Sequence, residues 1–440
     1  MPKFHILTWG CQMNYSDTER IAAVLVNAGF VKADSIEDAD VVVFNTCSVR
    51  QRAEDKVLGL CRKIKKLKLK KPGLKVILTG CMALRLSRNG VDNVDLRYKK
   101  EIRQKLPWID HFLDIGDLSG LYKILTGHKK KIDYFEVLHL CPDSLIDSDN
   151  IKIGGFVPIT KGCNNFCTYC IVPYTRGKEV SVDFNRIYSE VKTLVGQGSK
   201  LITLLGQNVN SWKGVIDGKN AQFPKLLARI ADIKGEFWVT YLTAHPKDFS
   251  DELIDVMSRS EKICPYVNLP FQSGSNRILK KMNRKYTRSQ YLHKIEKIRR
   301  KIPNVRVSTD VIVGFPGESD KDFERSLNLL KTGYFGMAYI SEFSPRKGTP
   351  AALLEDNIPQ DIKKQRKKIM VDVMGDIIEE QNLRMVGTRI PVLVTSDGKG
   401  KTFDLRDVII HDSRLYSVGT LVSTEVIDAS SGGLKVHVIV

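Results

Sequence analysis

The sequence predicts an α/β protein in three parts: an N-terminal open parallel α/β sheet domain, an incomplete (β/α)6 barrel and a small C-terminal β-barrel. Apolar runs alternate with helical patterns over most of the chain, as expected for parallel sheets. A polar stretch at residues 141–150 reads as a linker, and short strands separated by Gly, Asp and Ser turns fill the end. The predicted domains cover residues 1–145, 150–376 and 379–440.

Composition limits the class of protein. The chain has 440 residues, of which 42% are hydrophobic and 27% charged, an ordinary balance for a globular protein. No signal peptide and no apolar run of membrane-spanning length is apparent, and nine irregularly spaced cysteines suit ligation in a reducing cytosol. The net charge of +19, concentrated at +14 over residues 151–378, favours a nucleic-acid partner. We therefore expect a cytoplasmic protein.

Three predicted strands of the N-terminal domain each end close to a cysteine. The strands are predicted over residues 4–8, 41–44 and 76–79, with a helix over residues 16–28. The carboxyl ends of parallel strands meet at one edge of a sheet, so Cys11, Cys47 and Cys81 are expected to lie together. This predicts a three-thiolate metal site, with three buried structural cysteines as the alternative. The cysteines without a partner pattern are interpreted as structural: Cys61, Cys141 and Cys264.

A second cysteine group, Cys163, Cys167 and Cys170, follows the first predicted strand of the middle domain. The strands there are predicted over residues 156–160, 201–205, 238–243, 266–269, 305–313 and 338–343. The helices between them are predicted over residues 185–195, 224–233, 252–258, 289–301 and 322–331, with Ser319 capping the last. Six such strands predict an incomplete barrel, whose functional loops gather at the carboxyl ends of the strands.

The C-x3-C-x2-C spacing is typical of an iron–sulfur site with one open position. A cubane normally takes four thiolates, and this loop supplies three. An open position on a metal is where a small molecule binds and reacts. A zinc knuckle or three buried thiols are the alternatives, although zinc sites usually add a second Cys/His pair and none stands nearby.

The tail is predicted to form a β-barrel from strands over residues 390–395, 407–411, 421–427 and 434–440, after a helix over residues 361–382. Its net charge is only −1. The basic run at residues 62–71 is either a solvated helix face or a phosphate contact. The tail residues that could form a local RNA-binding patch are Arg384, Arg389, Lys399, Lys401, Arg406 and Arg414.

The chain resembles the radical S-adenosylmethionine (SAM) methylthiotransferases over essentially its full length, and most closely the bacterial branch that modifies tRNA. That family combines a methylthiotransferase domain, a radical-SAM barrel and a TRAM β-barrel. The resemblance rests on the segments 10–14 (GCQMN), 45–50 (NTCSVR), 79–83 (TGCMA), 161–177 (KGCNNFCTYCIVPYTRG), 205–210 (LGQNVN), 272–275 (QSGS) and 310–318 (DVIVGFPGE).

The resemblance implies two [4Fe-4S] clusters and SAM as cofactors. Cys163, Cys167 and Cys170 would hold the cluster that cleaves SAM. A second, auxiliary cluster that supplies or carries sulfur would be held by Cys11, Cys47 and Cys81. The implied reaction installs a methylthio group at C2 of N6-isopentenyladenosine beside the anticodon. The implied partners are the tRNA anticodon stem-loop and an electron donor such as flavodoxin or ferredoxin, with no membrane, and we expect a monomer.

The resemblance also implies contacts to the cofactor. Gly206, Gln207 and Asn208 would lie near the methionine moiety and ribose of SAM, and Gly314 and Pro316 near its adenine. The other implied cofactor residues are Tyr169, Arg176, Ser273 and Ser275. For each there is a structural alternative, in which glycine and proline shape loops, polar residues cap helices, and Arg176 forms a surface ion pair or binds an RNA phosphate.

Three other functions remain open from the sequence. Two use the same chemistry, on threonylcarbamoyladenosine in tRNA or on an aspartate of a ribosomal protein. The third is a non-catalytic iron–sulfur protein that binds RNA. The segments 171–177 and 206–210 favour the isopentenyladenosine branch, by resemblance alone.

Overall fold

The computed structural model describes residues 1–48, 51–83, 96–134, 137, 153–411 and 416–439. The predicted linker at 141–150, Cys141 and Arg414 lie outside these ranges. None of the described helices is both long and apolar enough to cross a membrane.

The chain forms two compact units. The first comprises residues 1–148, 161–165 and 170–180, and the second comprises residues 149–160, 166–169 and 181–440. Cys163 and Cys170 therefore belong to the first unit and Cys167 to the second. The second unit contains both the parallel strands of the middle domain and the C-terminal barrel.

The first unit contains the predicted open parallel sheet. Its strands are β1 Lys3–Trp9, β2 Val31–Lys32, β3 Val41–Thr46, β4 Lys75–Gly80 and β5 His111–Phe112, in the order β2-β1-β3-β4-β5. Every pairing in it is parallel. Helices cover both faces: Gln12–Asn27, Gln51–Gly59, Cys61–Lys70, Leu96–Lys105 and Leu118–Thr126. Strand β3 is buried along its full length, which explains its continuous apolar sequence.

The first helix, Gln12–Asn27, begins earlier than the predicted residue 16. Cys11 stands at its N-cap, where its backbone N–H donates to Asn14 Oδ1 at 3.2 Å. Cysteine and asparagine are not among the usual capping signals, which are Ser, Thr and Asp, so the earlier start was not predicted. The helix therefore starts directly at a cysteine of the predicted metal site.

The second unit contains six parallel strands, as predicted. They are β6 Gly154–Pro158, β9 Leu201–Leu205, β12 Trp238–Tyr241, β13 Tyr266–Asn268, β14 Arg306–Val313 and β15 Met337–Glu342. They form two three-stranded sheets, β6-β9-β12 and β13-β14-β15. An isolated parallel bridge links Val239 of β12 to Ile263, which lies just before β13. This open arrangement confirms an incomplete barrel. Short strands lie between these elements: β7 Thr160–Lys161, β8 Val180–Ser181, β10 Lys213–Ile216 and β11 Lys219–Gln222.

The hairpin β10–β11 was not predicted. Its turn residues Asp217 and Gly218 both have positive φ, at 52° and 74°. An Asp-Gly pair between two short strands is a signal for a two-residue hairpin turn, but this pair was not used in the prediction.

Five helices of the second unit agree closely with prediction: Phe184–Gly196, Phe223–Ala231, Asp251–Arg259, Arg288–Lys301 and Asp320–Leu330. Two further helices are Val172–Thr175 of the first unit and Asn276–Lys281 of the second. Ser319 caps the helix Asp320–Leu330, because its hydroxyl accepts from the Asp322 N–H in a capping box. The short helices Val172–Thr175 and Asn276–Lys281 were not predicted.

The C-terminal barrel follows the helix Gln360–Leu383. It is closed, with strands β16 Arg389–Ser396, β17 Lys399–Thr402, β18 Asp407–His411, β19 Leu421–Ser430 and β20 Gly433–Val438 in the order β16-β17-β18-β20-β19. The prediction omitted β17, whose four residues carry no apolar alternation. Leu393 of β16 is fully buried in one apolar cluster with Trp238 of β12, Tyr266 of β13 and Cys264, which lies just before β13. The parallel strands and the C-terminal barrel therefore share an apolar layer.

We expect Leu393→Ala to lower the free energy of unfolding by about 2–5 kcal/mol, because it leaves a cavity in this shared layer. Ile409→Ala is the matched control on strand β18 of the same barrel, since Ile409 is 57% exposed, and should change stability by less than about 0.5 kcal/mol. Urea unfolding followed by circular dichroism measures both. If both variants lost the same free energy of unfolding, the shared apolar layer around Leu393 would not contribute to the stability of this unit.

Candidate functional site

The register of the first sheet aligns the three strand ends that precede Cys11, Cys47 and Cys81. Trp9 pairs with Thr46, and Thr46 pairs with Gly80. The backbone N–H of Cys47 donates to the Trp9 carbonyl at 2.8 Å. The three cysteines therefore leave one sheet edge side by side, as the sequence predicted.

At this edge, Gly10 and Gly80 lie where the side chain of any other residue would collide with neighbouring atoms. A Cβ on Gly80, which has φ +84°, would lie 2.5 Å from the carbonyl oxygen of Thr46. A Cβ on Gly10 would lie 2.1 Å from Oδ1 of Asn14, the residue that caps the first helix. Neither position admits another residue without moving the backbone or that cap, so both glycines are needed for close approach.

Interactions among the thiols show that the three cysteines lie close together. A hydrogen bond with Cys47, and beyond it the positive charge of Arg176, lower the pKa of the Cys11 thiol to about 6 against the effect of burial. Burial raises the pKa of Cys81, and the neighbouring Cys11 adds to that rise. At neutral pH a thiolate therefore forms first at Cys11, and thiolate is the form that binds metal.

Arg176 is buried in this site. Its Nε donates to Cys81 Sγ at 3.2 Å, and its Nη2 donates to Asp17 Oδ2 at 2.9 Å. The side chains of Arg176 and Asp17 are 3% and 0% exposed, so the alternative of a surface ion pair is wrong. Asp17 also accepts a hydrogen bond from the Tyr134 hydroxyl. The guanidinium is thus directed at a thiol and a carboxylate within the same unit, which gives no support to an RNA-phosphate contact.

The donor set at this edge consists of three thiols, of which Cys11 ionises first. Thiolates are the usual ligands of an iron–sulfur cubane, which takes one thiolate on each iron. Within the described ranges, no three His, Cys, Asp or Glu side chains are arranged to hold one metal ion. Beside Cys47, the fully buried Thr46 hydroxyl has no hydrogen-bond partner among the described residues. Such an unpaired buried donor fits an acceptor sulfur bound at this site.

The amino-terminal part of the second cysteine loop is fixed by glycine in the first unit. The Cys163 N–H donates to the Gly177 carbonyl at 3.1 Å, and Gly162 adopts φ +80°. A Cβ on Gly162 would lie 2.1 Å from the Lys178 carbonyl. Cys163 is buried, and the Asn165 amide donates to its sulfur at 3.4 Å.

The central part of this loop is held in the second unit. Phe166 has φ 46°, and its carbonyl accepts from Asn283 Nδ2 at 2.9 Å. The sulfur of the buried Cys167 accepts from Arg284 Nη1 at 3.5 Å. Residues 281–284 therefore support Cys167, a contact that the sequence gave no reason to expect.

One predicted SAM contact is supported by an unpaired buried atom. Asn208 is 1% exposed, and its Nδ2 donates to Asp248 Oδ2 at 2.8 Å. Its Oδ1 has no partner in the part of the chain that the structure describes. A buried amide oxygen without a donor is costly, so the site fits a ligand that supplies an N–H or O–H. Gly206 packs against Thr160, whose hydroxyl would lie 2.0 Å from an added Cβ. Gln207, half-buried, remains a prediction.

Ser273 and Ser275 lie inside the fold. Ser275 Oγ donates to Asp322 Oδ1 at 2.5 Å, and Ser273 Oγ lies 3.4 Å from Ser326 Oγ. Both serines are at most 1% exposed. Their hydroxyls join the loop to the helix Asp320–Leu330, which favours the structural alternative over a contact to cofactor.

The turn at Gly314 and Pro316 is likewise held from within. The Gly314 N–H donates to Glu318 Oε2 at 2.7 Å, and a Cβ there would lie 2.4 Å from Lys363 Cγ. Pro316 is buried. The absence of a side chain at Gly314 allows the Lys363 side chain to pack against the turn. Contact of this turn with adenine remains a prediction. Tyr169 packs against the apolar cluster of Ile278, Met282, Phe315, Phe343 and Ala351.

The candidate RNA-binding patch on the tail is partly neutralised. Lys401 pairs with Asp407, Arg406 with Asp404, and Arg384 with Glu380. Arg389 and Lys399 are exposed. The basic run lies on the helix Cys61–Lys70, whose Arg62, Lys63, Lys65, Lys66 and Lys70 are exposed, as a solvated face requires.

Two family models match the chain. The model described as the Radical SAM superfamily matches residues 157–330, and that described as Uncharacterized protein family UPF0004 matches residues 3–96. A tRNA-2-methylthio-N(6)-dimethylallyladenosine synthase of Clostridium botulinum (strain Hall) is 41% identical, over 98% of this chain and 96% of the relative. The synthases of that name from Finegoldia magna and Clostridium novyi are 38% and 40% identical, over 98% and 99% of this chain and 94% and 96% of theirs.

Solved structures share the fold. The cobalamin-dependent S-adenosylmethionine radical enzyme OxsB aligns with a TM-score of 0.52 at 10% identity, over 86% of this chain and 56% of that one. The radical S-adenosylmethionine methyltransferase TsrM from Kitasatospora setae aligns with a TM-score of 0.52 at 12% identity, over 87% and 90%. These similarities confirm the radical-SAM fold class.

His245, near Arg284, is expected to make stability depend on pH. The centroids of the His245 and Tyr286 rings are 5.9 Å apart. Burial, and after it the positive charges of Arg284 and Lys247, lower the pKa of His245 from 6.5 to about 2. The unfolded chain therefore binds a proton at His245 below pH 6.5 that the folded chain excludes, so stability falls as pH falls. We expect this histidine alone to cost about 2 kcal/mol between pH 7 and pH 5.

Urea unfolding of wild type and His245→Asn at both pH values measures this cost. His293→Asn, on an exposed helix face, controls for loss of a histidine. The same pH dependence in wild type and His245→Asn would contradict the assignment.

Proposed function

The chain belongs to the family of the tRNA-2-methylthio-N(6)-dimethylallyladenosine synthases, and we propose that it performs their reaction with two iron–sulfur clusters. It is a radical-SAM tRNA methylthiotransferase: it inserts sulfur and a methyl group at C2 of N6-isopentenyladenosine in tRNA. Identities of 38–41% over nearly the whole of both chains carry this conclusion.

The family supplies the chemistry that this substrate demands. C2 of adenine carries an unactivated C–H bond, which acid–base or nucleophilic side chains do not break. When bound, a [4Fe-4S] cluster supplies the electron that cleaves SAM to a carbon radical able to attack that bond. Cys163, Cys167 and Cys170 would hold this cluster, with SAM completing the fourth position. The unpaired Oδ1 of Asn208 would accept a hydrogen bond from SAM.

A second cluster would be held by Cys11, Cys47 and Cys81. The aligned strand ends, the low pKa of Cys11 and the unpaired Thr46 hydroxyl support this assignment. Arg176 would lie beside it and compensate part of the thiolate charge. This second site would supply or carry the sulfur that reaches C2.

The partners follow from the same reaction. The substrate would be the anticodon stem-loop of tRNA, attracted by the +19 chain. The electron would come from a flavodoxin- or ferredoxin-type donor in the cytoplasm, and the enzyme would act as a monomer. Because the tail barrel carries a net charge of −1, most of the long-range attraction for RNA would come from the rest of the chain.

Nucleoside analysis of bulk tRNA tests the substrate. We expect a strain lacking the gene to lose 2-methylthio-N6-isopentenyladenosine and to accumulate the isopentenyladenosine precursor. The wild-type gene should restore the methylthio form and a Cys163→Ala gene should not. Unchanged levels in the deletion strain would exclude the assignment, and loss of methylthio-threonylcarbamoyladenosine instead would favour the other tRNA branch.

Cysteine substitutions test the two metal sites. After anaerobic reconstitution, we expect about eight irons in wild type and about four in Cys47→Ala. The Cys47→Ala protein should still form 5′-deoxyadenosine from SAM with dithionite, whereas Cys163→Ala should form none.

Cys61→Ser is the matched control, because Cys61 donates only to the Lys105 carbonyl, at 3.7 Å, and should keep about eight irons. Full iron content in Cys47→Ala would refute the second site. A closed, SAM-inactive cluster in wild type would favour the non-catalytic RNA-binding alternative.

A further inference from the structure

Each group of three cysteines has one sulfur that accepts an N–H from a buried arginine. Arg176 donates to Cys81 at 3.2 Å, and Arg284 donates to Cys167 at 3.5 Å. Neither arginine is a metal ligand. Net charge and hydrogen bonds to sulfur both set the reduction potential of an iron–sulfur cluster, because reduction adds a negative charge. Each arginine would therefore influence the reduction potential of a cluster bound at its own cysteine group.

At Cys81 the positive charge is balanced. The Arg176 guanidinium pairs with the fully buried carboxylate of Asp17 at 2.9 Å. The pair is neutral, and its two charges lie within one ion-pair distance of each other. Its electrostatic effect on a cluster beside Cys81 is therefore that of a dipole, which falls off faster with distance than that of a single charge.

At Cys167 the positive charge is unbalanced. Arg284 is buried, and its Nε donates to the Tyr286 hydroxyl at 2.9 Å while its Nη2 donates to the Pro270 carbonyl at 3.0 Å. Its guanidinium also lies 5.0 Å from the Tyr286 ring. Among the described residues, no carboxylate pairs with it. Every partner is therefore neutral or a sulfur, and a whole positive charge remains in a low-dielectric environment.

We propose that Arg284 is a positioning residue that raises the reduction potential of the cluster at Cys163, Cys167 and Cys170, so that an incoming electron reduces that cluster before the auxiliary one. The inference rests on the proposed function, since it requires both clusters. The electron comes from a low-potential one-electron donor, which is oxidised as the cluster gains one negative charge. Arg284 lowers the free energy of that reduced state by its charge and by its N–H···S contact.

Dithionite titration of the reconstituted full-length protein, followed by electron paramagnetic resonance, tests this directly. Arg284→Met and Arg284→Gln remove the charge, and we expect each to shift the reduction equilibrium of the SAM-cleaving cluster at least tenfold towards the oxidised form. That is about 59 mV for one electron. Arg284→Lys keeps the charge and should stay within about threefold of wild type. Unshifted Met and Gln variants, or a Lys variant shifted as far as Met, would overturn the proposal.

Asp17→Asn tests, at the auxiliary cluster, whether an unbalanced arginine charge raises the reduction potential. It leaves Arg176 unbalanced, so the auxiliary cluster should become easier to reduce, by about tenfold. Cys163→Ala removes the other cluster and isolates this signal. If the charge-removing Arg284 variants do not fold by circular dichroism, an unshifted Asp17→Asn protein overturns the proposal and a shifted one supports it. Wild type without a reducible cluster would instead refute the proposed function, whereas normal clusters with unshifted potentials refute only this inference.

Discussion

The parallel register of the first sheet brings three strand ends to a common edge, and the placement of Cys11, Cys47 and Cys81 follows from it. Trp9, Thr46 and Gly80 lie side by side because their strands pair in parallel with matched ends, so the following cysteines leave the sheet together. Gly10 and Gly80 permit this approach, since a side chain at either would collide with neighbouring atoms. A thiol group assembled from distant segments is thus a property of the sheet, and it persists only while the sheet is intact.

Both cysteine groups have a buried arginine beside them, Arg176 in one and Arg284 in the other. A buried guanidinium without compensation is unfavourable, so its presence beside a thiol indicates that the site is built to hold negative charge. Arg176 with Asp17, and Arg284 with neutral partners, meet this need in different ways. If both sites hold a cluster, this difference in the charge beside the thiols would give clusters of one type different reduction potentials.

Much of the fold, and the common sheet edge that precedes Cys11, Cys47 and Cys81, could be predicted from the sequence, because period and spacing are local signals. The strand ends beside Cys11, Cys47 and Cys81 and the six parallel strands were predicted from apolar runs alone. Asp17, Tyr134 and Arg284 were missed, since their partners are more than 100 residues away and carry no spacing signal. Ser273 and Ser275 were given a ligand role because a motif does not reveal that Asp322 and Ser326 already bond them. A surface ion pair was one alternative for Arg176, a residue given a cofactor role, for a similar reason: burial is a tertiary property.

The central claim is that each cysteine group binds an iron–sulfur cubane and that one cubane has an open iron. Mössbauer spectroscopy of wild-type protein reconstituted with 57Fe tests it most directly. The account predicts two cubanes, with about one iron in eight changing its isomer shift when SAM is added, because SAM binds the iron without a protein thiolate. Zinc in place of iron, or a spectrum in which SAM alters no iron site, would contradict the account.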